Sequence, residues 1–369
     1  MSTSNTSNIL TSDNLPSPKG HPLTGHFTDF RANNKHRVME KWVDEVGDLF
    51  RISLIGKKFI VSARSSLNKE VLRLRPNKFR RFSNIDQVMS EMGICGVFNA
   101  EGETWKNHRK LASEALNLDN VKSYYPTIAE ITERLIRKFN KYAALNESFD
   151  VQKQMMRYTV DITTEIAFGY PMNTLEKGDN TIQKHLNKIF PMINSRITAP
   201  IPIWRLIKSK KDRDFDHSLN ETRKLIIQFI KEGRQRLADT PSLKQNPKNF
   251  LEALLVQQEQ KDKFTDYEIF GNIFTMLLAG EDTTSNTISW CIYYLSQNPH
   301  LIEKVRAEAN VIYEESNIPM TYKEVSQLKV AEAVALEALR INPVTPNLYM
   351  TANEDVEIEG FRFRKGEQS

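Results

Sequence analysis

The sequence predicts a mainly α-helical fold with a minor β-sheet, and two patterns support this prediction. From about residue 103 onward, apolar residues recur with the three- and four-residue spacing of helices that bury one face. Patterns typical of strands are confined to two short segments, each centred on a glycine. The predicted elements are therefore mostly helices.

The composition excludes several classes of protein. Apolar residues make up 40% and charged residues 26% of the 369 residues, and the mean hydropathy is −0.49, which excludes an integral membrane protein and a disordered chain. The formal net charge of +5 is too small and too dispersed to indicate nucleic-acid binding. The sequence shows neither a secretory signal nor a run of about 20 apolar residues that predicts a transmembrane span. We therefore expect a cytoplasmic protein.

The N-terminal part of the chain predicts an extended lead and a small hairpin. Residues 1–15 predict a flexible tail, and Leu15–Pro22 is too rich in proline and glycine to form a helix, so it should lie extended across a surface. A helix is predicted at about 34–46. Phe50–Ile55 and Lys58–Ser62 run around Gly56-Lys57 and predict a β-hairpin.

The rest of the chain predicts long helices in one domain, residues 16–369. The predicted helices are 103–117, 121–143, 150–168, 178–195, 213–238, 248–260, 266–297, 299–315 and 322–340. Gly169 should end the third of these, because glycine is common just after a helix. Residues 356–363 alternate around Gly360 and predict a second hairpin.

Residues 266–297 predict one long, buried helix. Thr265 and Glu268 have the spacing of a capping box, and Asn298 followed by Pro299 can begin the next helix. Thirty-two helical residues span about 48 Å, enough to cross the molecule. The middle, Ile273–Ala279, is apolar on every side, which indicates that protein surrounds it.

This apolar helix is interrupted by Gly280-Glu-Asp-Thr-Thr284. Glycine disfavours a helix interior, adjacent threonines can bend it, and buried carboxyl groups require partners. One interpretation is a gap for a flat ligand or for oxygen, beside an acid–alcohol pair that passes protons. The other is a kinked core helix whose Glu281 and Asp282 reach a solvent channel.

These residues resemble a known motif. Ala279-Gly-Glu-Asp-Thr-Thr284 resembles the oxygen-activation motif [A/G]-G-x-[D/E]-T-[T/S] of the cytochrome P-450 superfamily of haem-thiolate monooxygenases. Glu337-Ala-Leu-Arg340, followed by Pro343 and Pro346, is similar to the family's E-x-x-R and its continuation. Trp105-Lys-Asn-His-Arg109 is similar to W-x-x-x-R, although a tryptophan packed under an arginine gives the same pattern. In family order, the resemblance covers roughly residues 15 to 366.

The resemblance implies a cytochrome P-450-like fold with haem b as cofactor. Ala279, Gly280 and Thr284 would then contact the haem on its oxygen-binding side, with the bare Gly280 backbone open to ligands. Thr283 would hydrogen-bond the dioxygen, and Asp282 would pass protons to it; these two are the expected catalytic residues. Glu281 occupies a variable position of the motif and is given no role.

The resemblance also implies roles for two helical pairs and for three substrate-contacting segments. Trp105 and Arg109 would bind a haem propionate. Glu337 and Arg340 would be structural and tie the core together. The substrate would contact Phe82–Phe98, residues 176–215 and Pro343–Leu348. The expected substrate is a small hydrophobic molecule of unspecified class.

One part of the family pattern is missing. The segment F-x-x-G-x-R-x-C-x-G, whose cysteine ligates the haem iron, does not occur in these 369 residues. Cys95 and Cys291 lack its flanking residues, so the chain offers no expected metal ligand. We expect a C-terminally truncated member that is inactive as it stands. Apolar surface on the helices around Thr284 and Glu337 should then be uncovered.

Three functional hypotheses follow. The first is a haem monooxygenase that inserts one oxygen atom of O₂ into its substrate. The resemblance implies electrons from a ferredoxin- or flavodoxin-type donor or from a fused or separate reductase, and we expect a monomer. The second is a haem-free relic that binds hydrophobic ligands or partners. The third, an unrelated helical enzyme, is weakened because the chain has no HExxH, GxSxG, GxGxxG or P-loop motif.

Overall fold

The computed structural model describes residues 9–30, 34–178, 181–199, 201–261, 264–313 and 318–369. Over these residues the fold is mainly helical with small sheets, which confirms the predicted fold class. The helices are α1 (Phe27–Phe30), α2 (Lys35–Val46), α3 (Ser65–Arg73), α4 (Ser83–Glu91), α5 (Gly102–Ala115), α6 (Leu118–Leu145), α7 (Val151–Phe168), α8 (Thr174–Lys177), α9 (Thr181–Ile197), α10 (Lys210–Asp239), α11 (Phe250–Lys261), α12 (Asp266–Gly280), α13 (Asp282–Gln297), α14 (Pro299–Ile312), α15 (Tyr322–Val325) and α16 (Lys329–Ile341).

Most predicted helix ends lie within a few residues of the observed ones. The capping box is present, since the backbone of Thr265 donates to the Glu268 carboxylate and Glu268 N–H donates to the Thr265 hydroxyl. Gly169 follows α7 in the left-handed conformation, as expected. Asn298 does not cap α14 through its side chain; its amide donates back to the Tyr294 carbonyl at 2.9 Å. Two predicted helices are divided, one at Glu281 and one between α15 and α16.

The strands form three small sheets. They are β1 (Leu10–Thr11), β2 (Leu49–Leu54), β3 (Lys57–Ser62), β4 (Phe79–Arg81), β5 (Met350–Ala352), β6 (Val356–Ile358) and β7 (Phe361–Phe363). The sheets have the order β1-β7-β6, β2-β3 and β4-β5. Both predicted hairpins, β2-β3 and β6-β7, are confirmed. Their turn residues, Ile55-Gly56 and Glu359-Gly360, all have positive φ, as tight hairpin turns require.

The predicted flexible tail is wrong for its last residues. Leu10 and Thr11 pair in parallel with Phe361 and Arg362, and Leu15 is buried. The hydroxyl of Ser12 donates to the Glu367 carboxylate. Residues 10–11 and 361–362 therefore meet in one sheet, while residues 1–8 lie outside the described part. That residues 16–369 form one domain stays a prediction.

The two largest of four apolar clusters among the described residues lie within the helical bundle and beneath the sheets. The larger joins residues of α4, α7, α9, α10, α11 and α12, and the second lies under β3–β7. In contrast, α13 and α16 each have a single buried residue, Ser285 and Ala338 respectively. Tyr293 and Leu336 are 52% and 62% exposed, so the predicted uncovered apolar surface is confirmed. Among the described residues, we find no helix whose length and apolar character would let it cross a membrane.

Candidate functional site

The predicted long helix is broken at the motif. Glu281 has φ −82° and ψ −73° and separates α12 from α13. After the break, two threonine hydroxyls bond back to the backbone: Thr283 Oγ1 donates across the break to the Ala279 carbonyl at 2.6 Å, and Thr287 Oγ1 donates to the Thr283 carbonyl at 2.8 Å. Such back-bonding bends helices, so the sequence pattern explains the break.

One face of the break is open. Ala279, Thr283 and Thr284 are exposed, although Ile273, Phe274 and Leu277 one turn earlier are buried. The Thr283 hydroxyl reaches the Ala279 carbonyl across the break, so the two residues lie side by side. A small apolar side chain and a hydroxyl therefore form an accessible strip, which we call the Ala279–Thr283 strip. A flat ligand can lie against it.

Gly280 faces a neighbouring helix instead of this strip. A Cβ at this position would lie 2.5 Å from Thr163 Oγ1 and 2.7 Å from Thr163 Cγ2, both on α7. The glycine is therefore required for close packing of α12 on α7. This packing is a reason for Gly280 that the sequence did not predict; whether its backbone is also open to a ligand or touches a cofactor stays a prediction.

Two carboxyl groups follow the glycine in different environments. Glu281 is only 1% exposed, and within the described part of the chain neither carboxyl oxygen has a hydrogen-bond partner. Burial, and to a smaller extent the charge of the neighbouring Asp282, together raise the pKa of Glu281 to about 8. Asp282 is half-buried, and burial raises its pKa as well. The interpretation that both acids reach solvent is thus wrong for Glu281.

Helix α5 carries the predicted pair Trp105 and Arg109. The two side chains lie one turn apart; Trp105 is half-buried and Arg109 is exposed. Between them, His108 is fully buried, and its Nδ1 accepts from the Asn272 amide of α12 at 2.7 Å. This contact joins α5 to the helix that bears the motif. Its signal in the sequence was slight: a histidine inside W-x-x-x-R and an asparagine in an apolar helix.

The predicted structural pair, Glu337 and Arg340, lies on the surface. Arg340 donates twice to the Glu337 carboxylate, at 2.8 and 2.7 Å, and the two side chains are 56% and 70% exposed. Helix α16 packs against α13, but this ion pair is not part of a buried core. The structure therefore gives no support to the role of tying the core together.

The cysteines do not supply an obvious metal ligand. Cys95 Sγ lies 3.9 Å from His108 Nε2, near the start of α12, and burial raises the pKa of its thiol. Burial also raises the pKa of Cys291, on α13. A raised pKa disfavours the thiolate that binds metals. Among the described residues, no group of three or more His, Cys, Asp and Glu side chains is arranged to hold a metal ion.

An apolar cavity of about 250 Å³ lies beside the sheets. All three segments expected to contact a substrate contribute to its wall: Phe82 and Asn84 from the first, Ile197, Thr198 and Ala199 from the second, and Pro346, Asn347 and Leu348 from the third. Strands β2 and β3 supply further apolar residues. The motif residues 279–284 do not line this cavity. The cavity can bind a hydrophobic molecule.

Comparisons with known proteins agree with the geometry. Residues 15–368 match the family model described as Cytochrome P450. The chain is 25% identical to Cytochrome P450 94A1 of Vicia sativa and 24% identical to Cytochrome P450 4V2 of Rattus norvegicus, covering 95% of this chain and 68% and 70% of those proteins. It is 21% identical to Self-sufficient cytochrome P450 monooxygenase CYP505E3 of Phanerodontia chrysosporium, covering 93% of this chain and 32% of that protein.

Proposed function

The chain belongs to the cytochrome P450 family of haem-dependent monooxygenases, and we propose that its α12–α13 junction forms the oxygen-facing wall of the haem site. The observation that carries this proposal is the Ala279–Thr283 strip, which is exposed at the point where an otherwise buried helix breaks. Its small residue and hydroxyl suit a flat cofactor. When bound, haem supplies the oxygen activation that inserts one oxygen atom of O₂ into a substrate.

Some of the residues present could hold a haem, but the ligand to its iron is missing. Ala279 and Thr284 would contact its face, and Trp105 and Arg109 would hold a propionate through the indole N–H and the guanidinium. Arg109 is exposed and, within the described residues, has no ion-pair partner, so its charge is available. The haem iron would have no cysteine ligand among these residues, because neither Cys95 nor Cys291 lies in a suitable segment. We therefore propose that these 369 residues alone do not catalyse the reaction.

Proton movement at this wall is assigned to Asp282 and Thr283. Asp282 is half-buried, so its carboxyl group can exchange protons with water while remaining close to the break. The Thr283 hydroxyl donates to the Ala279 carbonyl, so its oxygen is left to accept a hydrogen bond. Asp282 would thus take up a proton from solvent and pass it to Thr283.

The substrate is proposed to be a small hydrophobic molecule that enters through the 250 Å³ cavity, because the walls of this cavity are mostly apolar. Electrons would come from a ferredoxin- or flavodoxin-type donor or a reductase, for which the formal charge of +5 is suitable. We propose the cytoplasm as compartment and a monomer as the working form. Two observations favour a second candidate function, a haem-free module that binds hydrophobic ligands. The cavity is apolar, and these residues lack the cysteine ligand of the family pattern.

Haemin titration tests the first function against the second. We expect saturable haemin binding, seen as a shifted Soret band, that Arg109→Ala weakens about tenfold, in line with the loss of one charge-assisted contact. Lys110→Ala removes a neighbouring exposed cation and should leave binding unchanged. If haemin does not bind, or both variants behave alike, the haem site is wrongly placed and the ligand-binding module is favoured.

A further inference from the structure

Glu281 is a buried acid without an assigned role. It lies at the break between α12 and α13 with 1% of its surface exposed, and among the described residues no hydrogen bond reaches either carboxyl oxygen. An ionised carboxylate in such a place costs several kcal/mol, because nothing replaces the water it loses. The neutral acid is the form that this environment tolerates.

Helix α7 packs against the break, and its two threonines there do not interact with the Glu281 carboxyl group. Thr159 of α7 donates to the backbone carbonyl of Glu281 at 3.1 Å and to the Met156 carbonyl at 3.1 Å, so its hydroxyl proton is already used. Thr163 fills the space beside Gly280. Neither threonine titrates, and neither donates to the Glu281 carboxyl group.

Charged groups on the surrounding helices are held elsewhere. On α7, Asp161 accepts from Thr174 at 2.7 Å, and Glu165 lies 3.7 Å from Arg134. On the other helices packed against α12 and α13, several acids and cations are paired with each other: Arg236–Glu252, Arg234–Asp266, Arg306–Glu303, Lys329–Glu332 and Arg340–Glu337. The charge that acts on Glu281 is that of the next residue, Asp282.

We infer that Glu281 and Asp282 form a coupled pair of carboxyl groups that holds one proton at neutral pH, with Glu281 as the protonated member. Asp282 is half-buried and ionises first, and its negative charge then opposes ionisation of its buried neighbour. Two acids whose environments give them different pKa values can serve as proton donor and proton acceptor. Glu281 is therefore a positioning residue that acts through Asp282.

The pair would work as a proton reserve. The O–H bond of Glu281 breaks as an O–H bond forms on the Asp282 carboxylate. The Asp282 proton then passes to the Thr283 oxygen while Thr283 releases its own hydroxyl proton to an acceptor on the exposed side of the Ala279–Thr283 strip. Glu281 is left as a carboxylate in an apolar site and regains a proton from water by way of Asp282. The transfer to Thr283 rests on the proposed function, whereas the pairing itself does not.

Infrared difference spectroscopy of the full 369-residue chain, without added haem, tests the pairing. At neutral pH we expect the carbonyl band of a buried protonated carboxyl group, which is lost as the pH rises through about 8. Glu281→Gln should remove this band. Asp282→Asn should shift its loss to lower pH by about one unit, because the opposing charge is gone.

Glu165→Gln is the matched control, since Glu165 is a partly buried acid with a cation partner, and it should keep the band. A chain with no such band at neutral pH, or a band that survives Glu281→Gln, would overturn the inference. An unchanged titration in Asp282→Asn would show that the two groups are not coupled. If Glu281→Gln fails to fold, as judged by circular dichroism, Glu281→Met replaces it. Because haem is absent, the result is independent of haemin binding.

Discussion

The side-chain amide of Asn272 donates to Nδ1 of His108 across 2.7 Å and so joins α12 to α5. The same amide donates to the Glu268 carbonyl at 2.9 Å, and its oxygen accepts from Val97 N–H at 3.1 Å. With every polar atom of Asn272 engaged, the orientation of the amide is fixed. Burial lowers the pKa of His108, so the neutral ring, protonated on Nε2, is the form present at neutral pH.

We expect His108→Leu to lower the free energy of unfolding by about 1–3 kcal/mol, because the buried Asn272 amide loses a partner. Asn272→Leu should cost at least as much, since it breaks three hydrogen bonds. Urea denaturation measures both, and the double variant should cost less than the sum of the two. His300→Leu, at an exposed position on α14, is the control. Additive losses would mean that the two side chains do not act together.

Gly280→Ala tests the packing of α12 on α7. A methyl group there meets Thr163 Oγ1 at 2.5 Å, so we expect a loss of roughly 1–3 kcal/mol although alanine favours helices. In a Thr163→Ala background two of the clashing atoms are gone, and the cost should fall by at least half. Thermal unfolding of the four variants gives this comparison. An equal cost in both backgrounds would contradict the assigned contact.

Ala279→Trp tests the strip itself. The side chain at 279 is exposed, so a larger residue should change the free energy of unfolding by less than about 0.5 kcal/mol. It would, however, cover the face proposed for the haem and should abolish haemin binding, followed by the Soret band. Ser296→Trp, at an exposed position further along α13, should bind haemin as the unchanged chain does. Haemin binding by Ala279→Trp would place the cofactor elsewhere.

Much of the fold could be predicted because helical periodicity and capping are local. The long amphipathic segments and the Thr265–Glu268 capping box required no knowledge of distant residues. The pairing of β4 with β5 joins Phe79 to Ala352, far apart in the chain, and three-residue strands carry no local signal of their partners. The parallel pairing of Leu10 with Phe361 was missed for the same reason, and a flexible tail was predicted instead.

The sequence predicted which residues form the candidate site, but it predicted their arrangement only in part. The motif located the break, because glycine and paired threonines conflict with an apolar helix. It could not show that Gly280 faces Thr163, since helix orientation depends on tertiary packing. Nor could it separate the environments of Glu281 and Asp282, which differ because one side chain is buried and the other is half-buried.

Arg340→Ala should change the stability of this chain little. Arg340 and Glu337 are 70% and 56% exposed and bond to each other one helical turn apart. Exposed ion pairs of this kind contribute little to stability, and less at high salt. Urea denaturation at low and high salt measures the effect, with Arg306→Ala, from the similar pair on α14, as control. A loss several times larger than the control's would restore the structural role predicted from the sequence.

The stability of the chain should depend on pH through Glu281. Its pKa is raised from 4.5 to about 8 in the folded state, so the folded chain holds a proton that the unfolded chain releases. Stability from this group is complete below pH 4.5 and is lost as the pH rises through about 8. The slope approaches about 1.4 kcal/mol per pH unit between these values.

Glu281→Gln cannot ionise, so the variant should gain stability over the unchanged chain as the pH rises. Urea midpoints across this range measure the difference, and Glu357→Gln, at an exposed strand position, should show none. A constant difference between Glu281→Gln and the unchanged chain would mean that Glu281 is ionised in the folded protein.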